Sequence, residues 1–318
     1  MRVGLLGLGR IGAFHAATLA AHPLVDELIV ADPARTSPYG RPGDPYEADA
    51  VVIATPTGTH AELIIKACAQ GIPAFCEKPV AATVPETLKV LEAAGGRRVA
   101  IGFQRRFDPG YRAAAAAVRA GELGELHRVH LVTADPAPPP AGYIPLSGGI
   151  FRDCHVHDFD ALRWVTGREV RSVCAQGANR GAAFFAEAGD VDTSAALLTL
   201  DDGTLATLQG SRYNGAGYDV RMEVAGTLRT QAVGLGPRAP LHTTEGLAGL
   251  EEPWPDFVTR FQTAYVDEID AFLRGGEGLC SIGDALEALY VAEAADLSLR
   301  ERRPVDIAEV RDGAPPAG

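Results

Sequence analysis

Between Ser147 and Trp164 the chain reads SGGIFRDCHVHDFDALRW, a run dense in groups that can move or hold a proton. If the segment is helical from residue 151, then Asp153, His157, Asp160 and Trp164 share one face through i, i+4, i+7 and i+11 spacing. An aspartate one turn from a histidine can fix its tautomer and steady its protonated form, which makes His157 a competent general base. Two other readings stand beside this one. An Asp-His pair can be a satisfied element of the core. His155 and His157 with Asp153 and Asp158 are metal-ligand types, although i, i+2 histidines diverge on a helix, so no metal is expected. Lys78, in Glu77-Lys78-Pro79, follows an apolar strand-like run. Its ammonium could donate to a substrate hydroxyl and stabilise an alkoxide as hydride leaves. Taken alone, a lysine there is more often a solvated surface charge.

Those groups need a hydride acceptor, and the N-terminal residues suggest one. Gly7, Gly9 and Gly12, with Arg10 and Ile11 between them, form a G-x-G-x-x-G loop directly after an apolar run that begins at Val3. The first glycine permits a tight turn, the second lets backbone approach a pyrophosphate, and the third packs the new helix against the sheet. A second apolar run ends about twenty residues on, at Asp32, where a carboxylate accepts from ribose hydroxyls and repels a 2′-phosphate. NAD is therefore favoured over NADP, and the nearby Arg35 keeps NADP open. In the run ATPTGTH (54–60), Thr55, Pro56, Thr57 and His60 would line the same crevice. For His60 a plain strand-to-helix turn with Thr59 as cap is an equal reading.

The elements that must position these residues follow from periodicity. Strands are predicted over 3–8, 28–31, 50–54, 73–76 and 99–103, with helices over 11–21, 62–70 and 85–94, which is the βαβ pattern of a parallel sheet. Four prolines after Asp32 forbid a normal second crossover helix and predict an irregular loop over 33–45. After a helix over 112–120 the pattern changes. Strands over 127–133, 170–176, 194–200, 204–210 and 220–225 succeed one another, two of them joined by the Asp201-Asp202-Gly203 turn. This predicts a second, mostly antiparallel open sheet covered by helices over 150–165, 257–273 and 282–300. The fold class is thus α/β, with a dinucleotide-binding domain over 1–120 and a second α/β domain over 121–318. The segment 136–140 is read as a proline-rich rim, and residues 312–318 as a frayed end.

The chain has 318 residues, 47% of them hydrophobic, and a net charge of −12. That hydrophobic content supports a large core. With no basic cluster, the acidic balance argues against nucleic acid and anionic membranes as partners. No run of about 18 apolar residues occurs, and Met1-Arg2 leads straight into the first strand, so a cytoplasmic protein is expected. The five cysteines are odd in number and far apart, and are read as reduced thiols.

Taken together, these segments resemble the Gfo/Idh/MocA oxidoreductases, and in pattern the inositol 2-dehydrogenase branch. The resemblance runs from residue 3 to about 307. It rests on GLGRIG, Asp32, ATPTGTH, EKP (77–79), GFQRRFDPGY (102–111), the 147–164 run, GYDVRMEVAG (217–226) and RFQTAYVDEIDAF (260–272). It implies a Rossmann domain followed by an α/β domain whose open sheet often mediates homo-oligomers, as dimers or tetramers. It also implies a Lys-Asp-His catalytic set, which falls on Lys78, Asp153 and His157. Glu77 and Lys78 would border the cofactor, Arg105 would contact substrate or the nicotinamide, and Tyr218 would contact substrate. The expected activity is NAD-dependent oxidation of a secondary alcohol of a cyclic polyol or sugar. A ketosugar or aminosugar reductase using NADPH is the alternative, and a non-catalytic NAD sensor a more distant one. This chain departs from the branch in lacking the second crossover helix and in reading Ala216-Gly217-Tyr218-Asp219 where inositol dehydrogenases tend to read Tyr-Gly-Tyr-Asp.

Overall fold

The computed structural model describes residues 1–241 and 251–312. The chain packs as two compact units: Met1–Phe107 with Thr263–Glu287, and Asp108–Gln262 with the chain from Ala288 onward. It crosses between them three times, whereas the sequence suggested one boundary at 120/121.

The first unit contains β1 (Arg2–Leu6), α1 (Arg10–Ala20), β2 (Glu27–Ala31), β3 (Arg41–Pro42), β4 (Ala50–Ile53), α2 (His60–Ala69), β5 (Ala74–Glu77), α3 (Val84–Ala94) and β6 (Val99–Gly102). Its six strands lie in the order β3-β2-β1-β4-β5-β6, all parallel. The chain builds outward from β1 on one side and from β4 on the other, so the order reverses between these two strands. That is where an open α/β sheet binds its ligand. Val3, Leu5, Val51, Val52, Ile53 and Phe75 are fully buried, as expected for strands covered on both faces. As the four prolines predicted, residues 33–45 hold no α-helix. They supply β3, missed by periodicity because it is only two residues long, and its Pro42 is tolerated because the strand lies at the sheet edge.

The second unit begins with α4 (Pro109–Arg119), capped by the Asp108 carboxylate on the N–H groups of Gly110 and Tyr111. It continues through β7 (Leu126–Ala134), α5 (Ile144–Ser147), a π-helical turn Phe151–His155, α6 (Val156–Thr166), β8 (Val170–Ala178), α7 (Phe184–Glu187), β9 (Thr193–Leu200), β10 (Leu205–Ser211), β11 (Asp219–Gly226), β12 (Thr230–Val233) and α8 (Phe257–Arg260). Then α9 (Gln262–Arg274) returns to the first unit, where Ile269, Phe272 and Leu273 join its core. The chain ends with α10 (Ile282–Glu301), β13 (Val305–Asp306) and α11 (Ile307–Asp312). Asp312 therefore closes a helix, and the rest of the expected frayed end, 313–318, lies outside the described residues.

The second sheet has the order β12-β11-β7-β10-β9-β8-β13, mixed but mostly antiparallel, with β7 and β10 parallel. The expected hairpin joins β9 to β10, and its Gly203 adopts φ +90°. Burial alternates along β9 and β10, with even-numbered residues inward and odd-numbered ones outward, so one face is covered and the other open.

Two expected helices are interrupted. The helix predicted over 257–273 breaks at Phe261, whose backbone leaves helical geometry (φ −110°, ψ 18°) while its ring is buried. The one predicted over 150–165 opens with the π turn, which holds an extra residue per turn. Asp153 lies in that π turn and His157 in the first turn of α6. Within α6, Asp160 is buried and Trp164 stacks under the guanidinium of Arg119 at 5.2 Å.

Candidate active site

The glycine loop in the first unit is shaped by what each missing side chain leaves free. Gly7 adopts φ +91°, and a Cβ there would lie 2.5 Å from the Ala54 carbonyl oxygen. A Cβ on Gly12 would lie 2.2 Å from the Gly7 carbonyl, so only glycine lets α1 approach the turn this closely. Gly9 differs. A Cβ there would meet nothing nearer than Arg35 Nη1 at 3.6 Å. Gly9 is the N-cap of α1 and makes no side-chain cap hydrogen bond. Tight packing at Gly7 and Gly12 beside open space at Gly9 is what a pyrophosphate on a helix N-terminus requires.

Asp32 is anchored at the end of β2. Its Oδ1 accepts from the N–H groups of Ala34 and Arg35 at 2.8 and 2.9 Å, and its Oδ2 accepts from Leu8 N–H at 2.7 Å. The Ala34 and Leu8 hydrogen bonds hold the carboxyl below the usual carboxylate range, so it presents a fixed negative charge. Arg35 donates to the Leu8 carbonyl at 3.4 Å and lies beside the loop. The residues present therefore fit an adenine dinucleotide.

The run after β4 divides into outward and inward residues. Thr55 and Thr57 are half-buried and Pro56 is exposed. The Thr55 hydroxyl lies 2.7 Å from that of Thr59, which donates to the Pro56 carbonyl rather than capping α2. His60 is 1% exposed, with its ring nitrogens 2.8 Å from the Thr55 carbonyl and 2.7 Å from the Pro79 carbonyl. It thus ties the loop after β4 to the turn after β5. Lys78, in that turn, is half-buried, and the Lys78–Pro79 peptide is cis. Glu77 points inward, its Oε1 2.7 Å from His15 Nε2. Gly102 leaves room for it, since a Cβ there would lie 2.9 Å from Glu77 Oε2. Arg105 is buried in a 3₁₀ turn, Gln104–Phe107, immediately after β6.

In the second unit the π turn carries Asp153. Its Oδ1 accepts from the Tyr143 hydroxyl at 2.9 Å and its Oδ2 from Arg212 Nη2 at 2.7 Å. The other arm of Arg212, Nη1, lies 3.2 Å from Asp135 Oδ2, and the Cys154 thiol is 3.9 Å from the same oxygen. Burial opposes the charge of Arg212, but the acidic groups of Cys154, Asp153 and Asp135 outweigh it and raise its pKa. Partial burial and the Asp153 charge push the Tyr143 phenol well above its ordinary value, so it remains a donor. His157 follows in the first turn of α6, half-buried. Tyr218 is buried just before β11, its N–H donating to the Trp254 carbonyl at 2.9 Å.

Sequence reasoning missed Tyr143, Asp135 and Arg212. Tyr143 and Asp135 flank the proline-rich segment read as a rim. Asp135 and Arg212 each follow a strand end, and the parallel pairing of β7 with β10 sets Ala134 beside Ser211, so the next residue on each strand becomes a neighbour. The buried Asp-His pair weighed for this segment also exists, but between other residues. His155 is fully buried, with Nδ1 2.8 Å from Asp158 Oδ2 and Nε2 2.7 Å from Ser194 Oγ, while Thr133 donates to Asp158 Oδ1. His155, a histidine of the metal reading, thus has both ring nitrogens engaged by protein groups.

Comparison with known proteins gives a consistent result. The family model of the oxidoreductase family, NAD-binding Rossmann fold, matches residues 41–103, and that of the GFO/IDH/MocA C-terminal domain matches residues 111–230. An inositol 2-dehydrogenase of Rhizobium meliloti is 38% identical, the match covering 97% of this chain and 99% of the relative. A scyllo-inositol 2-dehydrogenase (NAD(+)) of Bacillus subtilis is 35% identical over 96% of each chain. The crystal structure of scyllo-inositol dehydrogenase from Lactobacillus casei with bound NAD(H) and scyllo-inositol is 27% identical, with a TM-score of 0.84 over 97% of this chain and 99% of that one. With the dinucleotide cradle described above, these matches place the chain in the GFO/IDH/MocA oxidoreductase family, as an NAD-binding dehydrogenase.

Proposed function

We propose that the protein oxidises a secondary alcohol of an inositol-like cyclic polyol to the ketone, with NAD as hydride acceptor. The observation that carries this is the joint presence of an open, anion-ready glycine loop beside the charged Asp32 and of a clamped Asp153 followed by His157. The relatives named above, which act on inositols, support the substrate class.

In this reading the first-turn N–H groups of α1 hold the pyrophosphate and Asp32 the adenosine ribose, with Thr55, Pro56 and Thr57 along the crevice. NAD, when bound, supplies the carbon that takes up hydride. The chain's own residues handle the proton. His157 removes it from the hydroxyl, and the ionised Asp153 steadies the imidazolium that forms. The Lys78 ammonium donates to the substrate oxygen and favours the alkoxide as the carbon–hydrogen bond weakens. Arg105 and Tyr218 are candidate substrate contacts. We further propose that the open sheet face pairs copies of the chain as dimers or tetramers, as in the family. The five free thiols suit a reducing, cytoplasmic compartment.

The test is nicotinamide reduction by the purified protein on myo-, scyllo- and chiro-inositol and common aldoses, with NAD and NADP in parallel. Turnover of an inositol with NAD is expected. Turnover confined to keto-sugars with NADPH would replace this reading with a reductase, and tight NAD binding without turnover of any polyol would replace it with a sensor.

A further inference from the structure

Arg212 is 3% exposed, yet it carries a full charge between two carboxylates. Pairing with two carboxylates offsets the burial of this guanidinium, whose planar fork presents one arm to each of them, while its buried Nε has no hydrogen-bond partner among the described residues. Nη2 to Asp153 is, at 2.7 Å, the shorter of its two contacts, and Tyr143 closes on the other oxygen of the same carboxylate. Asp153 sits in a π turn just before the helix that carries His157, and its carboxylate is held from outside that helix, by Arg212 after β10 and by Tyr143. We propose that Arg212 is a positioning residue: it fixes and orients the carboxylate of Asp153, and Asp135 holds its other arm.

The inference rests on the reading of Asp153 as part of the catalytic set. Because Arg212 acts through Asp153, its loss should lower the chemical step and leave NAD binding in the first unit alone. Misplacing a catalytic group by about 1 Å lowers rate by about a hundredfold. We expect R212M to lose about that factor in kcat on the best polyol substrate, with the Kd for NAD, read by fluorescence titration, unchanged. R212K, which keeps the charge but not the fork, should recover part of the loss. In a D153N background the same Arg212 substitutions should reduce the residual turnover little further, whereas a purely architectural role would impose the same fold-loss in both backgrounds. If R212M fails to fold, R212K alone and with D153N carries the test. Wild-type kcat in R212K and R212M beside an impaired D153N would overturn the inference while leaving the catalytic reading intact. Equal fold-losses in the two backgrounds would also overturn it. Wild-type turnover by D153N itself would overturn the catalytic reading and the inference together.

Discussion

At the scale of single residues, the site divides into groups that face a ligand and groups that hold them. His157 belongs to the first kind in the proposed mechanism. His157→Ala should lower kcat by about two to four orders of magnitude while leaving the Kd for NAD unchanged, because general-base catalysis contributes on that order. Wild-type turnover by this variant would remove His157 as the base. Asp32 has a stability role as well as a proposed binding role, since its carboxyl is held below the usual range by the Ala34 and Leu8 N–H groups. A lowered carboxylate pKa stabilises the fold above the unfolded-state value, and the contribution is lost as pH falls through the folded value. The Tm of the wild type should therefore exceed that of Asp32→Ala at neutral pH, and the gap should close on acidification below the usual carboxylate range. Melting curves that stay equally separated into strong acid would contradict this.

Within elements, the glycines of one loop make opposite predictions. Gly12→Ala drives a methyl to 2.2 Å from the Gly7 carbonyl, so α1 must lift off the turn. Overpacking of this kind costs roughly 1–3 kcal/mol, and both Tm and NAD affinity should fall. Gly9→Ala meets only the far end of Arg35 at 3.6 Å, so its Tm should match wild type while NAD affinity drops, because the methyl occupies the space left for the pyrophosphate. Calorimetry with and without NAD separates the two, and a Gly9→Ala protein that binds NAD normally would move the pyrophosphate elsewhere. Gly210 is a third case, on β10. A Cβ there would lie 2.2 Å from the His155 ring, so Gly210→Ala should destabilise the second unit by roughly 1–3 kcal/mol and disturb the His155–Asp158 pair.

At the scale of the molecule, the open face of the second sheet leaves Leu197 and Leu205 47% and 48% exposed on adjacent strands β9 and β10. If copies pair across this face, Leu197→Glu with Leu205→Glu should lower the mass measured by light scattering to that of one chain. An unchanged mass would place the contact on another surface. The first unit draws part of its core from α9, more than 150 residues downstream of β6, so a fragment ending at residue 120 would lack Ile269, Phe272 and Leu273. Such a fragment should melt below the full chain and less cooperatively.

The sequence by itself determined the dinucleotide loop, Asp32, the parallel first sheet, the missing crossover helix and the strand-rich character of the second unit. These depend on local rules: glycine at a positive φ, proline without an N–H, and side-chain periods of two and 3.6. Lys78, Asp153 and His157 were legible as candidates because their residue types and spacing are local too. The tertiary structure decided what surrounds them. Arg212 meets Asp135 because β10 runs parallel to β7 and ends level with it, a register that no local pattern encodes. The choice of His155 and Asp158 for the buried pair was likewise made by Ser194 and Thr133, residues of two other strands. The helix that carries His157 opens with a π turn, which a regular 3.6-residue reading cannot anticipate. Positions along one chain set the chemistry on offer, and the long-range packing of strands set which partners each group has.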